Sequence, residues 1–268
     1  MKHVLIGFLL LSAGSVMAGD GKFEINQLCV TFGCFEGDTP GFPVQITQPG
    51  SYVLTSNLNV NSINITAITT SSSRVTVDLN GFSIEGPGCG GGSCPGTGDG
   101  INLNFSLQGT VKNGTITGMG RNGLNCAGSC IVENVHSRAN GANGMVVNEA
   151  TILNSVAKSN GENGIEISTG IIEGAVVTRN DINGIVATAA VISRVRVRFN
   201  GDAPSGRGIL CDGCSIFDSI ITNEHIGIEF LNNSVWGRNL LYNNTGANFG
   251  GFDTPTSVDI NRCSGLTC

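Results

Sequence analysis

Charge is scarce in this chain: only 13% of its 268 residues are Asp, Glu, Lys or Arg, and no excess of positive charge exists. The net charge is −6, so a general attraction to nucleic acid or to an anionic membrane is not expected. The three histidines, His3, His136 and His225, stand at no ligand spacing from a cysteine pair, which disfavours zinc; no metal and no cofactor is expected. No serine, cysteine or histidine triad, metalloprotease motif or phosphate loop can be read. Gly86-x-Gly88-x-x-Gly91 has no helix behind it to hold a dinucleotide. Helical periodicity is missing from all but one short stretch near the start, and the apolar run 4–11 is too short to span a bilayer.

Glycine, by contrast, is abundant at 40 residues, and asparagine keeps time. Asn140, Asn160, Asn180, Asn200, Asn223 and Asn244 follow one another at spacings of 20, 20, 20, 23 and 21. Pairs such as Gly123-Leu124, Gly144-Met145, Gly164-Ile165 and Gly184-Ile185 keep the same beat, each opening a run of β-favouring residues. A period near 20 without a helical pattern predicts a solenoid with one β-rich coil per repeat. Equivalent residues on stacked coils then lie about 4.8 Å apart, and parallel crossovers predict right-handed winding. In one coil Ile152, Val156, Ile165 and Ile167 are expected to point inward, with Asn160 at a turn. The six asparagines are expected in one file, their amides hydrogen-bonded along the axis.

Lys2, His3, the apolar run and the small residues up to Ala18 read as an export signal, with no membrane insertion expected once it is removed. The predicted organisation is a signal over 1–18, an N-terminal cap over 19–42, a parallel β-helix over 43–252 and a C-terminal cap over 253–268. Ile25, Leu28, Cys29 and Phe32 stand at helical spacing, which predicts a short amphipathic capping helix within residues 23–35. Strands are predicted over 44–47, 52–55, 63–66 and 75–79. The ten cysteines form five close pairs: Cys29/Cys34, Cys89/Cys94, Cys126/Cys130, Cys211/Cys214 and Cys263/Cys268. In an exported chain, secreted or periplasmic, these read as five local disulfides.

The stretches Glu24-Ile25-Asn26-Gln27, Pro49-Gly50-Ser51-Tyr52, VTVDLNGFSI over 75–84 and KNGTITGMGRNG over 112–123 carry a resemblance. The chain resembles secreted bacterial right-handed parallel β-helix repeat proteins of the pectate-lyase-like superfamily, over essentially all of its length after the signal. The resemblance implies an all-β, right-handed parallel β-helix and does not fix an activity.

Three constellations could carry function. Arg138, Lys158, Thr178 and Arg198 each stand two residues before a turn asparagine, with Arg179 and Arg196 close by. Strict alternation from Val156 would turn Lys158 inward, but a buried cationic file is costly, so an outward column that binds anions is expected, against a plain solvated edge. Phe217 and Trp236 are aligned at one outward position as a sugar-stacking platform, unless the C-terminal cap covers them. Asp202, Arg207 and Asp212 lie around an enlarged turn beside Cys211/Cys214 and are the catalytic candidates, against a solvated loop held by its disulfide. Glu133 and Glu173 share a column two coils apart, about 9.5 Å, too far for one calcium ion. The expected function is binding of an extended acidic polysaccharide; the alternatives are a polysaccharide lyase or epimerase, and a structural or adhesive surface protein.

Overall fold

The structure, a computed structural model, describes residues 21–88, 96–103, 108–201, 206–251 and 255–264. Residues 1–18, read as an export signal from the sequence, and Cys89, Cys94, Asp202 and Cys268 lie outside the described residues. Successive coils wind into a right-handed parallel β-helix whose strands pair only with equivalents on neighbouring coils. Three sheets run along the axis. Strands such as Met145–Leu153 and Ile165–Glu173 bend across a corner to serve the first and second sheets, and short strands such as Val156–Lys158 and Val176–Thr178 form the third. The register stacks Met145, Ile165 and Ile185 in the first sheet, and Ile152, Ile172 and Ile192 in the second. Ala157, Val177 and Val197 stack likewise in the third sheet. All nine of these are 0% exposed, so each sheet contributes an apolar file to one continuous core.

Corners decide which side chains face out. Asn154 adopts φ 48° between the second and third sheets, a left-handed conformation that asparagine tolerates well. That residue resets the inward–outward parity of the strand after it. Consequently Ala157, not Val156, points inward, and Val156 is half-buried, correcting the alternation expected from sequence. Lys158 is thereby exposed.

The asparagine file is present with one substitution. Asn140 Nδ2 donates to Asn160 Oδ1 at 3.0 Å, Asn160 to Asn180 at 2.9 Å and Asn180 to Asn200 at 2.8 Å. The next rung is Glu224 rather than Asn223: Asn200 Nδ2 donates to Glu224 Oε1 at 3.0 Å, and Glu224 N donates to Asn244 Oδ1 at 3.0 Å. Asn223 instead occupies the left-handed corner position just before the rung, at φ 58°. The rung spacings are then 24 and 20, so the four additional residues all fall in the preceding loop. A second file, Asn122, Asn143, Asn163 and Asn183, runs beside the first and was not anticipated from sequence.

The glycine beat follows from the file. A Cβ on Gly164 would lie 2.6 Å from Asn180 Nδ2 and 2.7 Å from the Gly184 carbonyl oxygen; on Gly144 it would lie 2.7 Å from Asn160 Nδ2. Only glycine lets the amide file pass this close. A Gly164→Ala variant is expected to lose about 3 kcal/mol or more of stability in urea unfolding, because both neighbours are fixed in the ladder. A loss below about 0.5 kcal/mol would mean that the file has room to shift.

The N-terminal segment corrects two expectations. Lys22–Ile25 is a strand paired with Gly50–Leu54, and the helix is confined to Gln27–Val30, capped by Asn26 whose Oδ1 accepts from Cys29 N at 2.9 Å. Leu28 and Phe32 are 72% and 73% exposed, so the helical spacing of apolar residues did not mark a buried face. Residues 63–66 are not a strand; pairing begins at Ile68–Thr70, opposite Val44–Ile46.

Disulfides join Cys29 to Cys34 and Cys211 to Cys214, and Cys263 is also disulfide-bonded. Cys126 and Cys130 are instead free, buried thiols, contrary to the bridge expected between them. They share a hydrogen bond that holds the Cys126 thiol below its ordinary pKa and pushes Cys130 up. Cys126 Sγ also donates to the Gly128 carbonyl at 3.3 Å, so each sulfur already has a partner across this corner.

Candidate functional site

The third sheet presents two outward columns. One runs through Thr117, Arg138, Lys158, Thr178, Arg198, Thr222 and Tyr242, the other through His136, Val156, Val176, Arg196, Ile220, Leu240 and Arg262. Five bases, Arg138, Lys158, Arg196, Arg198 and Arg262, stand in these columns from Arg138 onward; among the described residues the one acid in them is Glu85, beyond Thr117 and two coils before Arg138. None of the five has an ion-pair partner among the described residues. Other acids sit elsewhere: Glu166 and Glu229 on the first sheet, Glu133 and Glu173 on the second. There cations are paired, as Arg194 with Glu173, Arg207 with Glu229, and Arg238 with Asp218 and Asp259. A chain with more acids than bases thus carries, from Arg138 onward, a run of bases with no acid in these columns among the described residues. Like charges about 4.8 Å apart repel by roughly 1 kcal/mol in water, so this face lacks its counter-charge.

Arg138 and Lys158 are direct neighbours, Thr178 follows, and Arg198 completes the run. Thr178 points outward with the cations, because Val177 before it is 0% exposed and faces the core. It is nevertheless 4% exposed, and its Oγ1 has no hydrogen-bond partner among the described residues. Thr222, in the same column, differs: its hydroxyl accepts from Asn223 Nδ2 at 2.8 Å.

Arg179 sits at the corner after Thr178, at φ 56°, and Phe199 holds the equivalent corner one coil on, at φ 57°. The Arg179 guanidinium lies over the Phe199 ring, 5.4 Å from its centre. Phe199 is 47% exposed, an aromatic face that sequence reasoning missed. Aligning the residues that immediately precede the rungs would have found it.

The other candidates do not converge. The register sets Ile216 opposite Trp236 and Phe217 opposite Gly237, one residue away from the alignment expected. Trp236 is 4% exposed and packs in the core against Phe230 and Phe249, with ring centres 5.5 and 5.3 Å away, so no Phe217/Trp236 platform exists. Phe217 lies under Arg238. Arg207 and Asp212 occupy opposite ends of the strand Arg207–Asp212, roughly 16 Å apart at 3.3 Å per residue. Arg207 pairs with Glu229, and Asp212 accepts from Asn232 Nδ2 at 2.5 Å. Asp202, the third member of that group, lies outside the described residues.

No protein-family model and no curated protein sequence matches the chain. Solved structures do. The A-module of the mannuronan C-5 epimerase of Azotobacter vinelandii superposes with a TM-score of 0.54 at 13% identity, over 92% of this chain and 85% of that one. A pectate lyase gives 0.50 at 16% identity, over 92% and 80%. A periplasmic alginate epimerase gives 0.50 at 11% identity, over 91% and 84%. At these identities the likeness establishes the fold, a pectate-lyase-like right-handed β-helix.

Proposed function

We propose that this is an exported β-helix protein that binds an extended acidic polysaccharide along its third sheet. The observation that carries the reading is the segregation of charge: Arg138, Lys158, Arg196, Arg198 and Arg262 share a face whose one described acid, Glu85, stands two coils before Arg138, in a protein of net charge −6. A polymer with regularly spaced anions can follow such a column from coil to coil, each cation meeting a successive anionic group. Solved proteins of the same fold bear names that refer to mannuronan, pectate and alginate, which supports a polysaccharide partner. The disulfides Cys29–Cys34 and Cys211–Cys214 suit an oxidising compartment, secreted or periplasmic.

The test replaces Arg138, Lys158 and Arg198 together by serine and measures affinity for acidic oligosaccharides. Each lost charge-assisted hydrogen bond is worth roughly 1.5–3 kcal/mol, so affinity is expected to fall by about 100-fold or more. Melting temperature should hold, since all three side chains are exposed. Parent binding should also weaken with added salt. Equal affinity in the triple variant, or no binding by the parent, would leave the face a solvated surface and move the structural or adhesive reading ahead.

A further inference from the structure

The cation column is interrupted at Thr178, and the interruption has the features of a built site. Thr178 stands between Lys158 and Arg198 in register, with two exposed cations one coil away on either side. Its hydroxyl is withdrawn from water and has no partner among the described residues, although a buried hydroxyl without a hydrogen bond costs roughly 1–3 kcal/mol. Valine would fill the same β-branched space without that cost. Beside this position the chain turns the corner through Arg179 on one coil and Phe199 on the next, and Arg179, Asn180, Asp181 and Phe199 line an open hollow of about 360 Å³. That size falls within the roughly 300–1,000 Å³ of small-molecule sites.

Phe199 is itself held at a cost. A bulky aromatic residue at φ 57° is in the left-handed region, which Ala139, Ser159 and Arg179 also adopt at the equivalent corners and Asn223 and Asn243 further along, and for an aromatic side chain such strain is on the order of 1 kcal/mol or more. Its ring is half-exposed, and its only described ring contact is the Arg179 guanidinium.

We propose that Lys158, Thr178, Arg179, Arg198 and Phe199 form a subsite for one acidic pyranose unit. The anionic group of the sugar, a carboxylate or a sulfate ester, sits between Lys158 and Arg198 and accepts from Thr178 Oγ1 once those long side chains swing aside. The apolar face of the ring stacks on Phe199, and Asp181, at the mouth of the hollow, accepts from ring hydroxyls. This rests on the acidic-polysaccharide reading of the third sheet and adds to it: the column supplies attraction, and this subsite supplies preference for a sugar over a bare polyanion.

The experiment uses the full chain with three probes: an octasaccharide of hexuronic acid, a sulfated octasaccharide, and inorganic polyphosphate. Thr178→Val and Phe199→Ala are each compared with the parent by titration calorimetry and thermal melting. Thr178→Val is expected to melt at or above the parent, because it removes an unpartnered buried hydroxyl. Each variant is expected to lose about 10-fold in affinity for the hexuronate or the sulfated octasaccharide, and less than 2-fold for polyphosphate. Which octasaccharide shows the loss identifies the anionic group. If the parent binds the octasaccharides and both variants bind them equally well, the subsite is overturned while the cationic column stands. If the variants lose polyphosphate affinity to the same degree, the site reads charge alone and the proposal also fails. A parent that binds none of the three probes overturns the column and the subsite together.

Discussion

At pH 8.5 a Glu224→Gln variant is expected to melt about 5–10 °C above the parent, whereas at pH 5 the two should melt within about 2 °C of each other. Glu224 replaces an asparagine in the file and is 2% exposed. Its carboxyl accepts from Asn200 N at 2.8 Å and from Asn200 Nδ2 at 3.0 Å, which favours the charged form, but burial outweighs both and pushes its pKa up to about 8 from the ordinary 4.5. The folded state therefore holds a proton that the unfolded chain has already released. Stability from this group is fully present below pH 4.5 and is lost as pH rises through about 8. At 1.36 kcal/mol per pH unit the ceiling is about 5 kcal/mol. About half of it would give the stated shift, since 1 kcal/mol moves melting by roughly 2–4 °C in a domain of this size. Glutamine stays neutral, keeps an oxygen that can accept from both Asn200 donors as the other rungs do, and adds an amide donor. Parent melting that is flat from pH 5 to 8.5 would show that Glu224 ionises freely and does not titrate with the fold.

An Asn180→Ala variant is expected to lose about 4 kcal/mol, one of the largest effects of any single polar substitution in the chain. Asn180 Oδ1 accepts from Asn160 N at 3.1 Å and from Asn160 Nδ2 at 2.9 Å, and its own Nδ2 donates to the Ala157 carbonyl at 3.3 Å. Alanine leaves two Asn160 donors and the Ala157 carbonyl without the amide and removes the 2.8 Å bond to Asn200 Oδ1, in a region where Asn160 and Asn180 are 0% and 1% exposed. Each buried group left without a partner costs roughly 1–3 kcal/mol. Urea unfolding measures the loss directly, and a value under about 1 kcal/mol would mean that water enters the file and replaces the amide. Asn180→Asp separates shape from hydrogen bonding: it should approach parent stability only at low pH, where a protonated carboxyl can donate as the amide does.

The 20-residue beat was sufficient to read the coil, the parallel stacking and the amide file, because every coil solves the same packing problem with the same residues. Glycine before an aliphatic residue was legible as a marker, although its reason, room for the Asn180 and Asn160 amides, is visible only when coils are stacked. The cation column was legible too. Its members keep a constant offset from the rungs, and the high cost of burying charge indicated its side of the sheet.

Single-residue choices were decided by the tertiary structure. In a strand, a shift of one position moves a side chain to the opposite face. Pairing Phe217 with Trp236 was off by one position, and the true partner, Ile216, takes Trp236 into the core. The same sensitivity exchanged Asn223 for Glu224 as a rung and Val156 for Ala157 as a core residue, since a left-handed corner resets the count without leaving a mark in hydrophobicity. Composition, period and charge placement determined the fold and the face that carries the cation column. Register across coils determined which glutamate is buried, which threonine hydroxyl is left without a partner and which aromatic ring is exposed, because those depend on what the neighbouring coil sets beside each residue.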